Sequence, residues 1–534
     1  MTNSSVNLPE KYWDQFRLSN DDLEFLYNHL LEIETPLTPE ELVRAVVVER
    51  IQVEKKKLET LPKQGVEKYK PANHYEPDQD LVFTAGTNQT GKVLSVRAGN
   101  NPEIGAFEVI AVRFEDGAEK QFAAGLADHR LNQIADEVKE EDPALNPDWV
   151  MEHFGAGLEE SIGQELETNP DLVRIAGKWF PSALLVDINI GFLNLAEAVL
   201  EMAGGGPLST CEIIDQIELP ADSNQNLTEF SFNRALQEDG RFDEVGPSGE
   251  VLWFLRRLEP DAIQNTPALL KHNTFTYDHN AIQPLKELLR GKVADEIEPE
   301  FSSGFGKSNE VAISLIFPHW RSGTLPLVGQ IRKLFPTAME SFRVQFTFVD
   351  GNSGKKFPGW VNVPERYAYG LKEWYEEQGV FPGCIIHIQR GAQPGEVTVR
   401  VEKRRVAKDW VRTALVGADG GVVFALLKQP VPATFDERMG VVVPDAAAVE
   451  KIWDLSNRQK GTLEHTVQTT MRELAKINPQ GQVHALELYS AVNITRRCPP
   501  GIILSLLAEG NWATYLGDLY FRLNDGDLEA NDDE

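Results

Sequence analysis

The chain has 534 residues, and its 82 Asp and Glu against 52 Lys and Arg give a formal net charge of −30. Its length and its 42% hydrophobic content provide enough material for about four or five separate cores. No apolar run approaches the roughly 18–20 residues of a membrane span, and the N-terminus lacks a secretory signal, so we expect a cytoplasmic protein without a membrane partner.

Residues 19–60 are predicted to form a helical, helix-turn-helix-like unit. Leucines recur at helical spacing behind an acidic start, Asn20-Asp21-Asp22. Thr38-Pro39 then provides a second N-cap with proline at the first helical position. The charged run Glu54-Lys55-Lys56-Lys57 is interpreted as a solvated helix face.

Residues 75–132 are predicted to form a small open β-barrel, because four short strands are too few for a sandwich. Their strand rhythm resembles the Tudor- and KOW-type barrels of transcription and chromatin proteins. Four aromatic residues are interpreted as core, with a ligand cage as the alternative: Phe83, Phe107, Phe114 and Phe122.

Two segments are predicted to connect domains. Residues 136–186 begin as an acidic, proline-punctuated linker and continue as a helical segment. Residues 261–310 form a helical linker that contains an acidic link, Asp295-Glu296-Ile297-Glu298-Pro299-Glu300.

Between these segments, residues 187–260 are predicted to form an acidic winged helix. Three helices are followed by two strands around the turn Gly246-Pro247-Ser248-Gly249, which is the order of a winged helix-turn-helix. The unit resembles the HARE-type winged helix, the kind found in the RNA polymerase delta subunit. The resemblance is carried by Leu208, Glu212, Ile213, Arg241, Phe242 and Trp253.

The charge of this unit argues against base reading. It has fourteen acids and four bases, and its third helix offers only Asn233 and Arg234 to a groove. Two roles of this unit are therefore retained on equal terms, contact with a basic protein surface and purely structural packing. Direct reading of DNA bases ranks third.

Residues 311–450 are predicted to form a basic β-pseudobarrel with a β extension. From His319 to Arg412 the chain carries fifteen Lys and Arg against nine Asp and Glu, opposite to its overall charge. The order Leu334-Phe335-Pro336, Asp350 to Lys355, Gly370 to Tyr375 and Val380 to Gly383 resembles the plant-type DNA-binding pseudobarrel, the B-three domain. Such domains insert two strand–loop arms into the major groove.

The first hairpin lacks the Asn, Arg or Trp arm of that family, so we expect affinity to come mainly from phosphates. The alternative is that these cations are solvated side chains on a barrel exterior. The candidate phosphate-binding residues are Arg343, Lys355, Lys356, Arg400, Lys403, Arg404 and Arg405.

Residues 454–523 repeat the winged-helix plan with a nearly neutral charge. Arg496 and Arg497 precede the third predicted helix, which makes this copy the better candidate for DNA contact. The remaining residues, 524–534, are predicted to be an acidic disordered tail.

Enzyme motifs are not found in the sequence: it contains no P-loop, no GxSxG and no HExxH. The three cysteines form no CxxC pair, which argues against a disulfide framework or a zinc ribbon. We expect no catalytic residues, cofactor or metal. A metal-dependent nuclease built on Asp350, Glu402 and Lys403 is a distant alternative.

The sequence therefore predicts a multidomain α+β protein in which winged helix-turn-helix units flank small β-barrels, one open barrel and one pseudobarrel. The first functional hypothesis is a DNA-binding or transcription-associated protein that contacts double-stranded DNA locally, because most of an acidic surface repels phosphate. The second is a scaffold that docks on RNA polymerase or another basic protein without touching DNA.

Overall fold

A computed structural model describes residues 12–60, 67–83, 89–101, 105–114, 117–127, 129, 132, 143–219, 224–305, 309–338, 340–418, 420–458 and 462–524. The described residues form a mixed α+β structure with several sheets. Two compact units are present, one of residues 1–174 and 178–184 and one of residues 175–177 and 185–534. The tail predicted at 524–534, apart from Asn524, and the acidic stretch 133–142 lie outside the described residues.

The first unit begins with two helices and a five-stranded sheet and ends with a helix and a hairpin. In chain order these are α1 (Asn20–Ile33), α2 (Pro39–Thr60), β1 (Glu67–Lys68), β2 (Asp80–Phe83), β3 (Gln89–Ala98), β4 (Glu108–Phe114), β5 (Glu119–Ala124), α3 (Pro147–Glu167), β6 (Leu172–Ile175) and β7 (Lys178–Pro181). The turn of the last hairpin, residues 175–177, is grouped with the second unit.

The helices of the first unit are joined across a long stretch of sequence. Helix α2 packs against α3, and Leu37 pairs with Trp179 of β7 through N–H to carbonyl bonds of 3.2 and 2.8 Å. Residues 143–184 therefore complete the helical arrangement that was predicted to end at residue 60. The helical segment predicted within 136–186 is present as α3, whereas its packing on α2 is a distant contact that local composition does not report.

The five-stranded sheet lies between α2 and α3 in sequence, with its strands in the order β1-β2-β3-β4-β5. Only β1 and β2 are parallel. Phe83 and Phe114 are buried in its core and Phe122 packs against them, which supports the core interpretation of these residues. Phe107 lies outside this cluster and covers Gly99.

The second unit begins with a helical set and a half-barrel. Its elements to residue 401 are α4 (Ile190–Met202), β8 (Leu208–Ser209), α5 (Thr210–Ile217), α6 (Gln225–Glu238), β9 (Phe242–Glu244), β10 (Leu252–Leu255), α7 (Asp261–Gln264), α8 (Gln283–Leu289), β11 (Glu310–Ser314), α9 (Phe317–Ser322), β12 (Thr324–Pro326), α10 (Gly329–Arg332), β13 (Arg343–Asp350), β14 (Lys356–Asn362), β15 (Tyr367–Tyr369), α11 (Lys372–Gln378), β16 (Ile385–Arg390) and β17 (Glu396–Val401).

A long hairpin and a second helical set follow. Their elements are β18 (Lys403–Val416), β19 (Val422–Ala433), α12 (Ala446–Arg458), α13 (Leu463–Lys476), β20 (Gln482–His484), α14 (Ala485–Thr495), α15 (Pro500–Glu509), β21 (Ala513–Gly517) and β22 (Tyr520–Leu523). No helix of the described chain is long and apolar enough to cross a membrane.

Three groups of elements share one order: helix, extended segment, helix, helix and two strands. We call them the first set (α1, Leu37, α2, α3, β6 and β7), the acidic set (α4, β8, α5, α6, β9 and β10) and the C-terminal set (α13, β20, α14, α15, β21 and β22). In each, the extended segment pairs with the last strand, which also pairs with the strand before it. Equivalent capping boxes begin the middle helix of the acidic set, at Ser209 and Glu212, and of the C-terminal set, at His484 and Glu487.

The half-barrel is a seven-stranded sheet with the order β11-β16-β17-β13-β14-β15-β12. Strand β13 alternates buried and half-buried residues, with Val344, Phe346 and Phe348 facing the core. Its pairing with β17 is parallel, and the other pairings in the sheet are antiparallel.

Strands β18 and β19, here called the ribbon, do not extend the half-barrel sheet. They form a separate two-stranded antiparallel sheet in which residues 407–416 pair with residues 431–422. One face of the ribbon places Val411 and Val431 in the half-barrel core. Farther along, Ala414 and Phe424 join the core of the C-terminal set, so the ribbon contacts both bodies.

Helix α6 of the acidic set does not present Asn233 to a groove. The Asn233 side chain is buried, and its Oδ1 accepts hydrogen bonds from Trp253 Nε1 at 2.9 Å and Thr210 Oγ1 at 2.6 Å. The other candidate base reader, Arg234, pairs with Glu238 one turn away. Asn233 therefore orients the core tryptophan.

We predict that Asn233→Ala lowers the free energy of unfolding by about 2 kcal/mol, because the buried Thr210 hydroxyl loses its acceptor and Trp253 Nε1 keeps only its longer bond to Thr210 Oγ1 at 3.2 Å. Arg234→Ala, which removes an exposed pair on the same helix, should cost no more than about 0.5 kcal/mol. Denaturant unfolding of the full chain measures both. A loss of DNA binding by Asn233→Ala at unchanged stability would contradict this assignment.

Candidate nucleic-acid interface

Most of the predicted phosphate-binding cations on the half-barrel are already paired with carboxylates. Arg343 begins β13, where its Nη1 lies 2.6 Å from Glu259 and 3.1 Å from Asp243. Both acids follow or belong to the acidic set, so Arg343 holds that set against the half-barrel. It is not available to a phosphate without breaking this contact.

The cations around the β13–β14 turn are paired as well, although they are more exposed. Lys355 Nζ lies 2.6 Å from Glu377, and Lys356 Nζ lies 2.5 Å from Glu396. Arg400 on β17 contacts Glu310 at 3.1 Å. Exposed pairs of this kind contribute little to stability, but each carboxylate offsets the positive charge that would attract a phosphate.

Arg497 contradicts its prediction most directly. Its side chain is fully buried, and its Nη2 lies 2.9 Å from both Asp295 and Glu296. A guanidinium enclosed in this way has no path to a nucleic acid. Its neighbour Arg496 is half-buried, so the pair does not form the basic edge expected before the third helix.

The same carboxylates organise a larger buried ion cluster of Asp295, Glu296, His319, Tyr489 and Arg497. His319 Nε2 lies 2.8 Å from Glu296, and Tyr489 donates to Asp295 at 2.6 Å. Burial by itself raises the pKa of Glu296, but the charges of Arg497 and His319 outweigh it and hold that pKa well below its usual range. The acidic link predicted at 295–300 therefore contributes buried carboxylates to the core.

Glu298 extends this core toward the start of α15. Its carboxylate accepts hydrogen bonds from the Tyr277 hydroxyl at 2.7 Å and from the Gly501 backbone N–H at 2.6 Å. Burial nevertheless dominates and raises the pKa of Glu298 to about 7. The protein thus places a carboxyl group that titrates near neutrality at the N-terminus of a buried helix.

The third helix of the C-terminal set does not offer a reading face. Helix α15 carries no charged residue before Glu509. Its buried residues cover most of its length: Pro500, Gly501, Ile502, Ile503, Leu504, Ser505 and Leu507. Helix α15 therefore offers no cation of its own to a phosphate.

Exposed cations without a nearby carboxylate are found on the ribbon. Lys403 and Arg405 are exposed, and no ion pair joins either of them to another described residue. Arg404 lies 3.5 Å from Asp409 and is about half exposed. The strand pairing is irregular between Lys403 and Ala407, which separates these cations from the regular part of the ribbon.

Three further residues of this surface were not predicted: Lys408, Trp410 and Lys428. Trp410 is 65% exposed, and Lys428 Nζ lies 5.3 Å from its ring centroid. Lys408 and Trp410 occupy one face of β18 because alternate residues of a strand share a face. This alternation is visible in the sequence, but the pairing of Trp410 with Lys428 required the ribbon register.

The nuclease alternative finds no matching geometry in the described part of the chain, where no three His, Cys, Asp or Glu side chains converge on a position suited to a metal. Asp350 is buried and accepts hydrogen bonds from Asn352 N–H at 3.0 Å and Ser353 Oγ at 2.6 Å, so it shapes the β13–β14 turn. Glu402 instead faces His387 at 3.6 Å.

Comparison of the chain with protein-family models, curated proteins and solved structures yields no match.

We predict that Arg497→Ala lowers the free energy of unfolding by about 3–5 kcal/mol, because Asp295 and Glu296 remain buried without their cation. The adjacent Arg496→Ala is the matched control and should cost less than about 1 kcal/mol. Denaturant midpoints of the two variants test this difference. Equal midpoints would show that the cluster does not support the fold.

We also predict a pH dependence that Glu298→Gln removes. Burial raises the pKa of Glu298 from its ordinary value of 4.5 to about 7 in the folded protein, so the native state retains a proton that the unfolded chain releases. The resulting stability is complete below about pH 4.5 and falls by a few kcal/mol as the pH rises through about 7.

Glutamine reproduces the protonated acid, since its amide oxygen can accept the hydrogen bond of the Gly501 N–H and its amide N–H can donate one to the Tyr277 hydroxyl. Unfolding free energies of the wild type and Glu298→Gln, measured between pH 5 and pH 8, should therefore diverge as the pH rises. Parallel curves for the two proteins would show that Glu298 does not titrate in this window.

Proposed function

We propose that this protein is a non-enzymatic, transcription-associated nucleic-acid-binding protein whose contact surface is the ribbon. The observation that supports this most strongly is the distribution of charge. Arg343, Lys355, Lys356 and Arg400 on the half-barrel are paired with acids, whereas Lys403 and Arg405 extend from the ribbon into solvent. In a chain of net charge −30, such a local positive surface is what a phosphate backbone requires.

The three helical sets are interpreted as winged helices and the half-barrel as a DNA-binding pseudobarrel. The shared order of elements supports the first interpretation, and a seven-stranded open sheet with short helices between its strands supports the second. In this proposal the winged helices serve mainly as structural and protein-contact modules, because Asn233 and helix α15 are committed to the core.

The second candidate function is a scaffold that docks on a basic partner such as RNA polymerase. The observation in its favour is helix α4 of the acidic set, where Leu195 and Met202 are exposed beside Glu201. Exposed apolar residues next to acids suit a basic protein surface. This candidate requires no affinity for nucleic acid, which separates it from the first.

A salt series tests the first candidate. The logarithm of the association constant of the full chain for a fluorescently labelled DNA duplex should fall linearly with the logarithm of the salt concentration. The slope should be about 0.9 per phosphate neutralised. Replacing Lys403, Arg404 and Arg405 with alanine should reduce this slope by up to about 2–3 and weaken all sequences alike. Anisotropy titrations at several salt concentrations give the slope directly.

The matched control replaces Lys355 and Lys356 with alanine. Both are exposed lysines of the same chain, but each already faces a carboxylate, so the slope should remain close to that of the wild type. Absence of wild-type binding at about 50 mM salt would favour the scaffold. An unchanged slope in the ribbon variant would place the phosphate contacts elsewhere.

A further inference from the structure

Trp410 stands apart from the other tryptophans of the chain. All ten lie in described parts of the sequence, and Trp410 is the one whose side chain is exposed, at 65%. The remaining nine are buried or half-buried. Because an exposed indole leaves a large apolar area in water, Trp410 is a candidate contact residue for a binding partner.

The surroundings of Trp410 are cationic. Lys428 is its direct cross-strand partner and lies 5.3 Å from the ring centroid, within the range of a cation–π interaction. Lys408 and its cross-strand partner Pro430 are exposed on the same face of the ribbon. Toward the ribbon tip this face becomes covered where Arg412 pairs with Glu487 at 3.1 Å.

The opposite face of the ribbon fixes this orientation. Val411 and Val431 alternate with the exposed residues and are buried against the half-barrel. A rotation that buried Trp410 would therefore expose both valines. The register of the ribbon therefore holds the indole outward, on the same face as Lys408 and Lys428.

We propose that the ribbon binds single-stranded nucleic acid, with an unpaired base stacked on Trp410 and phosphates contacted by Lys403, Arg405 and Lys408. This proposal rests on the nucleic-acid binding proposed above and names its ligand class. An indole beside several cations matches a base and its phosphates, whereas the bases of a duplex are already stacked on one another. Stacking is tolerant of sequence, which agrees with the burial of Asn233 and of most of helix α15.

The test compares a labelled 20-nucleotide oligothymidine strand with a duplex of the same length. Trp410→Ala should weaken binding of the single strand by about 5- to 150-fold, which is the contribution of one stacked base. Trp410→Phe should recover part of this loss, because phenylalanine retains an aromatic face. Binding of the duplex should be unchanged in both variants.

Tyr515→Ala is the matched control, since Tyr515 is another exposed aromatic residue, on strand β21 of the C-terminal set. It should leave binding of the single strand unchanged. A second readout follows from the exposure of Trp410. Acrylamide should quench the fluorescence of this tryptophan in the free protein, and the bound oligonucleotide should protect it from quenching. Trp410→Phe should lack that protected component.

The outcomes separate stacking on Trp410 from the nucleic-acid binding on which that proposal rests. Unchanged binding of the single strand by Trp410→Ala, with loss of binding by the Lys403, Arg404 and Arg405 variant, would overturn stacking and leave nucleic-acid binding intact. Failure of the wild type to bind either probe would overturn both proposals. If Trp410→Ala lost binding to a polyglutamate peptide that the wild type binds, and still bound both nucleic acids, Trp410 would be assigned to an acidic protein partner.

Discussion

The burial of Arg497 between Asp295 and Glu296 is the interaction on which the second unit depends. A charged guanidinium can leave water only where carboxylates surround it, and these acids are separated from Arg497 by about 200 positions of sequence, 201 in the case of Glu296. His319 on α9 binds Glu296, and Tyr489 on α14 donates a hydrogen bond to Asp295. One cluster therefore joins the segment before the half-barrel, the half-barrel and the C-terminal set.

The cluster also explains why so few cations remain for a ligand. Arg343 is committed to Asp243 and Glu259, and Arg412 to Glu487. In a chain with thirty more acids than bases, a cation inside or beside a domain finds a carboxylate easily. The ribbon is different because it projects exposed residues between its two contacts with the core. Arg404 lies 3.5 Å from Asp409, but no ion pair joins Lys403 or Arg405 to another described residue.

The three helical sets show how one order of elements serves different ends. In the acidic set, helix α6 directs Asn233 to the core tryptophan. In the C-terminal set, helix α15 is almost wholly apolar and buried. In the first set, a five-stranded sheet is inserted in sequence between the second and third helices. A winged-helix pattern in sequence therefore does not establish that the third helix meets DNA, because the third helix of each set has its own surroundings.

The sequence by itself determined the features that depend on neighbouring residues. The helix start at Thr38-Pro39 and the order of elements in the acidic and C-terminal sets are local patterns, and the structure contains them. Only the tertiary structure decided that Leu37 pairs with Trp179 and which cations are free. Ion pairing depends on distances in space. The sequence pattern of a basic run is therefore the same for an exposed cation such as Lys403 and for a buried one such as Arg497.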